Sequence, residues 1–337
     1  MSGKPLSLEI ALRFVFLLFV VAGLGTSASA QMKGSDVPGF VGLQAGTQAP
    51  PGIYVGDLAY FYTTDNIKLD NGDSLPKAPR VNAFIEGIAL GRTTNYKFLG
   101  ANIGGQFLVP FAQNRLEGDL LGSSSTGFGF SDIYLQPIAL GWHARRADYV
   151  AGYGIYFPTG SFTPGASDNK GLGIYTNELS FGSTYYLNEH KSWNVSAMAA
   201  YAFASKKRGI DETPGQIMTI QGGLGHTILK KTSFPIPTIM NVGLIGYTQF
   251  KTTNDSGADL PSFAVGVKDR VFALGPEFNI LWPKQRMQLT ARYFAEFGAR
   301  DRSQGQGFTI SFTYIAKSLV HMEPPPTGAT PPPPPHQ

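Results

Sequence analysis

Twelve stretches of alternating apolar and polar residues, joined by connections that are alternately long and short, limit the folds open to this chain. A period of two is the signature of a β-strand with two chemically different faces. In RMQLTARYFAEF, for example, Leu289 and Tyr293 share one face, while Arg292 and Glu296 share the other. The twelve segments lie near residues 52–63, 79–91, 98–110, 128–143, 148–157, 173–186, 192–204, 217–229, 236–250, 266–282, 285–297 and 306–317.

The connections between these segments predict a transmembrane β-barrel. Those after odd-numbered segments are long and polar, near residues 64–78, 111–127, 158–172, 205–216, 251–265 and 298–305. Those after even-numbered segments are short, near residues 92–97, 144–147, 187–191, 230–235 and 283–284. Outer-membrane barrels have long outer loops and short periplasmic turns. The alternative, a soluble sandwich or barrel with one wet face, gives no reason for the alternation.

Composition excludes several other classes of protein. The 337 residues include 41 glycines and 24 phenylalanines but no cysteine, and 15% are charged. Without cysteine there is no disulfide scaffold, thiolate metal site, thiol nucleophile or lipidated N-terminal cysteine. A formal net charge of +4 is too balanced to indicate a nucleic-acid partner. After residue 30 no apolar run approaches the roughly 18 residues of a spanning helix, so any membrane crossing uses strands.

Both ends of the chain differ in composition from the predicted barrel. Residues 1–30 read as a cleaved signal peptide, because the apolar core at 14–24 is too short to span a bilayer and small residues at 28–30 precede Gln31. Residues 31–51 are rich in Gly and Pro and form either an unstructured leader, which is slightly favoured, or a small plug in the lumen. The barrel occupies 52–317. The Pro-rich residues 318–337 predict a flexible periplasmic tail or a ligand for a periplasmic partner.

The cost of placing charge in lipid predicts which face of each strand lines the lumen. A Lys or Arg on the lipid face costs about 2–4 kcal/mol at the bilayer midplane. In the first strand, Tyr54, Tyr60 and Tyr62 are therefore expected on the lipid side, with Asp57 in the lumen. The predicted charged lumen residues are Asp57, Glu86, Asp132, Glu178, Glu277, Arg292 and Glu296, and the predicted apolar ones are Phe61, Phe84 and Phe294.

Two interpretations of this lumen set stay open. The charges form a network that fills a narrow barrel, or they form a weakly cation-preferring constriction beside an apolar path for aromatic solutes. Barrels of eight strands are already filled by side chains, whereas those of 16–18 strands are open.

Enzymatic chemistry is not predicted. Outer-membrane hydrolases need a paired serine and histidine, and His143 and His226, the two histidines inside predicted strands, have no nucleophile motif nearby. The acidic stretch 65–73 lacks the spacing of a calcium loop. The chain is therefore expected to be no enzyme, with no metal and no cofactor.

Several short motifs resemble those of one protein family. They are Gly46-Thr47, Pro50-Pro51-Gly52 and Tyr54 in the stretch 37–76, and the later blocks at 129–143 and 152–165. With these motifs the chain resembles the outer-membrane proteins associated with meta-pathway phenol degradation, the MetA type. The resemblance implies an outer-membrane channel for small hydrophobic or aromatic compounds, with no binding residues to carry over.

The sequence therefore predicts an all-β fold, a transmembrane antiparallel up-and-down barrel of about twelve strands in a Gram-negative-type outer membrane. The expected function is passive uptake of small, hydrophobic or aromatic solutes. The alternative is a structural or surface-interaction barrel with a closed lumen that acts through its outer loops. The expected partners of the protein are a small-molecule solute and the outer-membrane lipid and lipopolysaccharide. The basic run 206–208 either contacts lipopolysaccharide phosphates or is simply solvated.

Overall fold

The computed structural model describes residues 34–118, 122–166, 168–232, 237–260 and 264–319. The predicted signal peptide and nearly all of the predicted tail lie outside the described residues. Within them, no helix is long and apolar enough to cross a membrane.

Twelve long antiparallel strands form a closed wall. They are β1 Gly52–Thr64, β2 Arg80–Phe98, β3 Ala101–Gly118, β4 Ile133–His143, β5 Ala147–Phe157, β6 Thr176–Tyr186, β7 Trp193–Ala204, β8 Ile217–Lys230, β9 Thr238–Lys251, β10 Arg270–Trp282, β11 Met287–Arg300 and β12 Gln306–Ser318. Each strand pairs with the next one along the chain, and β12 pairs with β1 to close the barrel. The predicted transmembrane up-and-down barrel is confirmed.

Four short strands lie outside this succession. Gly122–Ser125 and Gly129–Phe130 pair with β3 and belong to the same sheet. Ile67–Lys68 and Arg302–Ser303 pair with each other and join two loops. The barrel itself therefore consists of the twelve long strands.

The two ends of the barrel differ in the length of their connections, as predicted. One end, the outer end, carries the loops 65–79, 119–132, 158–175, 205–216 and 252–269 and the shorter connection 301–305. The other, periplasmic end carries the turns 99–100, 144–146, 187–192, 231–237 and 283–286. This is the arrangement of an outer-membrane barrel, whose long loops face outward.

One turn was placed wrongly by the sequence. Residues 92–97 were expected to be a turn, but they belong to β2, which continues to Phe98. The turn is Leu99-Gly100 alone, with φ of 48° and 82°. Two consecutive residues of positive φ match the type I′ hairpin turn, which needs no polar loop.

From β6 to β11 the polar face points inward, as predicted. Thr184, Gln221 and Glu277 are buried inside the barrel, whereas Phe181 and Leu274 on alternate positions are exposed on the outside. An apolar outer surface is what a lipid environment requires, because unpaired polar groups are costly there.

In β1 and β2 the faces are reversed relative to the prediction. Tyr60 is 4% exposed and points inward, with Tyr54 and Tyr62 on the same face, whereas Phe61 is 47% exposed and points outward with Asp57. The prediction that Asp57, Glu86, Phe61 and Phe84 line the lumen is therefore wrong. The physical reason is a cluster of buried apolar side chains on the inner side, made by Val37, Tyr60, Tyr62, Ala83, Ile85, Ala112, Tyr247, Val271, Ala273, Phe294 and Ala299.

Candidate functional site

Residues 34–51, called the plug below, lie inside the lumen and run along its length. At the outer end, a Cβ atom at Gly34 would come within 2.6 Å of the Ile217 side chain, where β8 begins. At the periplasmic end, Gln48 donates a hydrogen bond to the Ala139 carbonyl at 3.0 Å. Of the two alternatives for this segment, the plug describes residues 34–51, and the slight preference for an unstructured leader does not hold for them.

Wall side chains satisfy the backbone of the plug. Gln221 Oε1 accepts from the Gly39 N–H at 2.7 Å, Glu277 Oε2 from the Leu43 N–H at 3.1 Å, and Thr184 Oγ1 from the Gly46 N–H at 3.0 Å. A buried N–H without a partner costs about 1–3 kcal/mol, so these side chains make the lumen a fitted site for the plug.

Glycines on both sides of the contact allow the plug to approach the wall. A Cβ at Gly42 would lie 1.8 Å from Glu277 Oε2. The Leu43 side chain, in turn, sits against three wall glycines, where an added Cβ would come within 2.9–3.2 Å of Leu43 Cδ2; these are Gly223, Gly225 and Gly243. The leucine therefore fills a hollow that exists because the wall lacks side chains there.

An ion pair in the wall holds the middle of the plug. Glu277 and Arg292 lie directly opposite each other on β10 and β11, with Arg292 Nε 2.7 Å from Glu277 Oε2. Their side chains are 3% and 12% exposed. The same Glu277 oxygen accepts the Leu43 N–H, so the pair fixes the carboxylate that binds the plug.

The outer half of the lumen is aromatic and contains a second carboxylate. Phe294 is 1% exposed and its ring centroid lies 6.0 Å from Tyr60 and 5.3 Å from Tyr247. Glu296 accepts hydrogen bonds from Tyr62 Oη at 2.5 Å, Tyr247 Oη at 2.9 Å and the Gly305 N–H at 2.7 Å. These three donors stabilise the carboxylate.

Two further predicted residues have different surroundings. Glu178 is buried in the lumen wall and accepts from Tyr134 Oη at 3.2 Å. Asp132 precedes β4 and anchors the loop 158–175 by accepting from the Gly160 N–H at 2.9 Å and the Leu172 N–H at 2.7 Å. Burial raises the pKa of the Asp132 carboxyl above its ordinary value, although these two donors and the Arg208 charge oppose the rise.

The structure thus gathers half of the predicted set in the lumen. Its lumen members are Glu178, Glu277, Arg292, Glu296 and Phe294. The sequence did not identify the residues that bind the plug, such as Thr184 and Gln221. The glycine spacing in the plug and the glycines of QGGLG at 221–225 were the available signal, since glycine marks close backbone approach.

The histidines considered for a hydrolase are at the periplasmic end. His226 stacks on Trp193 with centroids 4.4 Å apart, and His143 Nδ1 lies 3.2 Å from Asp148 Oδ1. Among the described residues, no group of three or more His, Cys, Asp or Glu side chains is placed to hold a metal ion.

A family model assigns most of this barrel. The family described as "Putative MetA-pathway of phenol degradation" matches residues 64–312. The chain belongs to this family. The matched region covers β2 to β11 and the first half of β12, but not the plug. No curated protein matches the chain.

Solved structures agree on the fold. The COG4313 outer membrane channel from Pseudomonas putida F1 superposes with a TM-score of 0.64 at 16% identity, covering 83% of this chain and 99% of that one. The likeness places this member of the phenol-degradation family among outer-membrane barrels.

Two other barrels are similar at a lower level. The β domain of the Bordetella autotransporter BrkA has a TM-score of 0.45 at 14% identity, covering 77% of this chain and 98% of its own. The Pseudomonas putida toluene transporter TodX has a TM-score of 0.38 at 12% identity, covering 81% and 90%.

Proposed function

We propose that the protein is an outer-membrane channel for passive uptake of small solutes, and that the pathway opens when the plug leaves the lumen wall. The observation that carries the proposal is the way the plug is held. The N–H groups of Gly39, Leu43 and Gly46 donate to wall side chains, whereas the wall is complete through its own strand pairing. Removing the plug therefore breaks no ladder of the barrel.

The lining favours aromatic solutes that carry no negative charge. With the plug displaced, a ring-bearing solute meets the rings of Tyr60, Tyr62, Tyr247 and Phe294, on which it can stack. Glu277 is neutralised by Arg292, but Glu296 accepts from two tyrosine hydroxyls and keeps the pathway unfavourable for anions. The family description, which refers to phenol degradation, agrees with a solute of this class.

The second candidate function is a closed barrel that acts through its outer loops. The observation in its favour is that these loops are tied together. Thr213 and Ser256 form a bridge between two of them, and Arg302–Ser303 pairs with Ile67–Lys68 between two others. Such a barrel would bind a partner at its outer end and pass no solute.

A disulfide bond that reversibly fixes the plug to the wall distinguishes between these two functions. Ser35 Oγ in the plug and Thr176 Oγ1 in β6 are 2.7 Å apart, so cysteines at both positions lie within reach of a disulfide bond. Because the chain has no cysteine of its own, no other thiol interferes.

The protein, as residues 31–337, is reconstituted in liposomes with impermeant probes: phenyltrimethylammonium, benzenesulfonate and arabinose. We expect uptake of the aromatic cation to exceed that of the other two. We also expect the oxidised S35C/T176C variant to block uptake and dithiothreitol to restore it, while S35C alone transports normally. Equal transport by the oxidised and reduced S35C/T176C variant would refute plug release. No transport in any state would favour the closed barrel.

A further inference from the structure

The outer surface of the barrel contains a groove of 590 Å³ that none of the lumen chemistry uses. It crosses β11, β12, β1, β2 and β3 near their outer ends. Its lining residues are Phe61, Tyr62, Thr63, Asn82, Ala83, Phe84, Gln113, Arg115, Tyr293, Gln306, Gly307 and Phe308.

Strand register arranges the lining into two rows. Phe61 is opposite Phe308 on one side and Phe84 on the other, which gives an aromatic row. Two residues further along the strand, Thr63 is opposite Gln306 and Asn82, and Asn82 is opposite Arg115. The groove therefore has an apolar row, and a polar row that lies nearer to the outer end of the barrel.

Strand backbone forms the floor of the groove, because three of the lining residues present no side chain to the outside. Gly307 has no side chain, and Ala83 and Tyr62 point into the lumen, where Tyr62 donates to Glu296. The aromatic surface also continues sideways: Phe84 lies 4.9 Å from Phe61 and 6.0 Å from Phe128 between ring centroids.

The polar row presents hydrogen-bond donors. Asn82 Oδ1 accepts from Thr63 Oγ1 at 2.8 Å, and Gln306 Oε1 accepts from Tyr293 Oη at 2.7 Å. With their oxygens engaged, both amides offer their NH₂ groups. The Arg115 guanidinium adds more donors, because its contact with Glu117 is long, at 3.6 Å, and exposed.

The height of the groove identifies its surroundings as the outer leaflet. At the periplasmic end of the same wall, Arg92 and Lys317 flank Ile53 on the outward face. The ten residue steps from Ile53 to Thr63 span about 25 Å of membrane height along a strand tilted by about 40°, which equals the height of the apolar band of such barrels. The polar row therefore lies where acyl chains end and headgroups begin.

We propose that this groove binds a phosphate-bearing lipid of the outer leaflet. One acyl chain lies on Phe61, Phe84 and Phe308, and the phosphate accepts hydrogen bonds from Arg115, Asn82 and Gln306. The donors of Arg115, Asn82 and Gln306 match the acceptor-only oxygens of a phosphate, and the ring surface matches the acyl chain. This site is on the outside of the wall and is independent of transport through the lumen.

Native mass spectrometry of the full chain in detergent tests the proposal, with bisphosphorylated lipid A and its dephosphorylated form as probes. Arg115→Ala should weaken binding of the phosphorylated lipid about tenfold, as should removal of the phosphates. The matched control is Arg92→Ala, which removes an exposed outward-facing arginine at the other end of the same wall and should bind normally. Unchanged binding by Arg115→Ala, or equal loss in both variants, would overturn the proposal.

Two further arms test the parts of the site separately. Phe84→Ser should weaken binding of both forms of the lipid equally, because it removes a ring that contacts the acyl chain and no donor to the phosphate. Unchanged binding would refute the placement of the acyl chain. Inorganic phosphate at millimolar concentration should not displace the lipid; full displacement would show a phosphate-ion site instead. Heat-modifiable gel migration verifies that each variant is folded.

Discussion

Two parts of the barrel wall differ in which side chains face the lumen. One is the plug-facing wall, β6 to β11, and the other is the groove wall, β12 with β1 to β3. On the plug-facing wall, polar residues such as Gln221 point inward and leucines such as Leu274 point outward. On the groove wall, Tyr60 and Ile85 point inward while Asp57 and Glu86 point outward. What each inner face touches decides its polarity, because the plug backbone needs hydrogen-bond acceptors and the aromatic cluster needs apolar neighbours.

On the plug-facing wall, loss of the Glu277 carboxylate should be the most costly change. Glu277→Ala leaves Arg292 buried without its partner, and breaking a buried pair in this way costs about 3–5 kcal/mol. The free energy of unfolding, followed by heat-modifiable migration in urea, measures the loss. The double variant Glu277→Ala/Arg292→Ala should recover part of it, and an equally unstable double variant would contradict the argument.

Exchanging acidic and apolar residues on the lipid-facing side should change the stability of the barrel in opposite directions on the two walls. Asp57 and Glu86 lie near the middle of the apolar band, where acids cost less than the about 2–4 kcal/mol of a Lys or Arg. Asp57→Leu should therefore stabilise the barrel in lipid by about 1 kcal/mol. Leu274→Asp, at an exposed position on the plug-facing wall, is the matched reverse change and should destabilise it. Equal signs in bilayer unfolding experiments would contradict the assigned faces.

A smaller effect is expected from crowding the plug. Gly42→Ala places a Cβ against Glu277, Ile245 and Arg292, so the plug should detach more often at a cost of about 1 kcal/mol. Gly56→Ala is the control, because this inward-facing glycine of β1 has no neighbour closer than 3.6 Å to an added Cβ. Hydrogen exchange of residues 34–51 should accelerate in the first variant only; equal exchange rates would argue against a tight fit.

The smallest change in global stability is expected away from both walls. Asp132→Ala removes the acceptor of the Gly160 and Leu172 N–H groups and should free the loop 158–175 while the barrel stays folded. Limited proteolysis should cut this loop faster than in the parent protein. Cleavage at an unchanged rate would show that other contacts hold the loop.

Local patterns made the strands and their order predictable from the sequence. The alternation of apolar and polar residues at 287–297 and 173–186 indicates strands even when the neighbouring strands are not known. The same pattern does not say which face is inside. Tyr60 is buried by Phe294, more than two hundred residues away, so the polarity rule that worked for Arg292 failed for Asp57.

The site was harder to predict than the fold because the plug determines it. Glu277 and Glu296 were identified from charge alone, but their roles depend on Leu43 and on three tyrosine and backbone donors that meet only in the closed barrel. The polar run 92–97 was misleading for a related reason. Polar residues are compatible with a strand once it extends beyond the apolar band.

The position of the plug also sets an order of assembly. The ladder that closes the barrel joins β1 to β12, the most distant pair of strands along the chain, so its formation has the greatest loop-closure cost of all the pairings. The plug is joined directly to β1 and docks on wall side chains that come together only in the closed barrel. Closure of the seam therefore comes first, and the plug can dock afterwards or leave again without any strand pairing being broken.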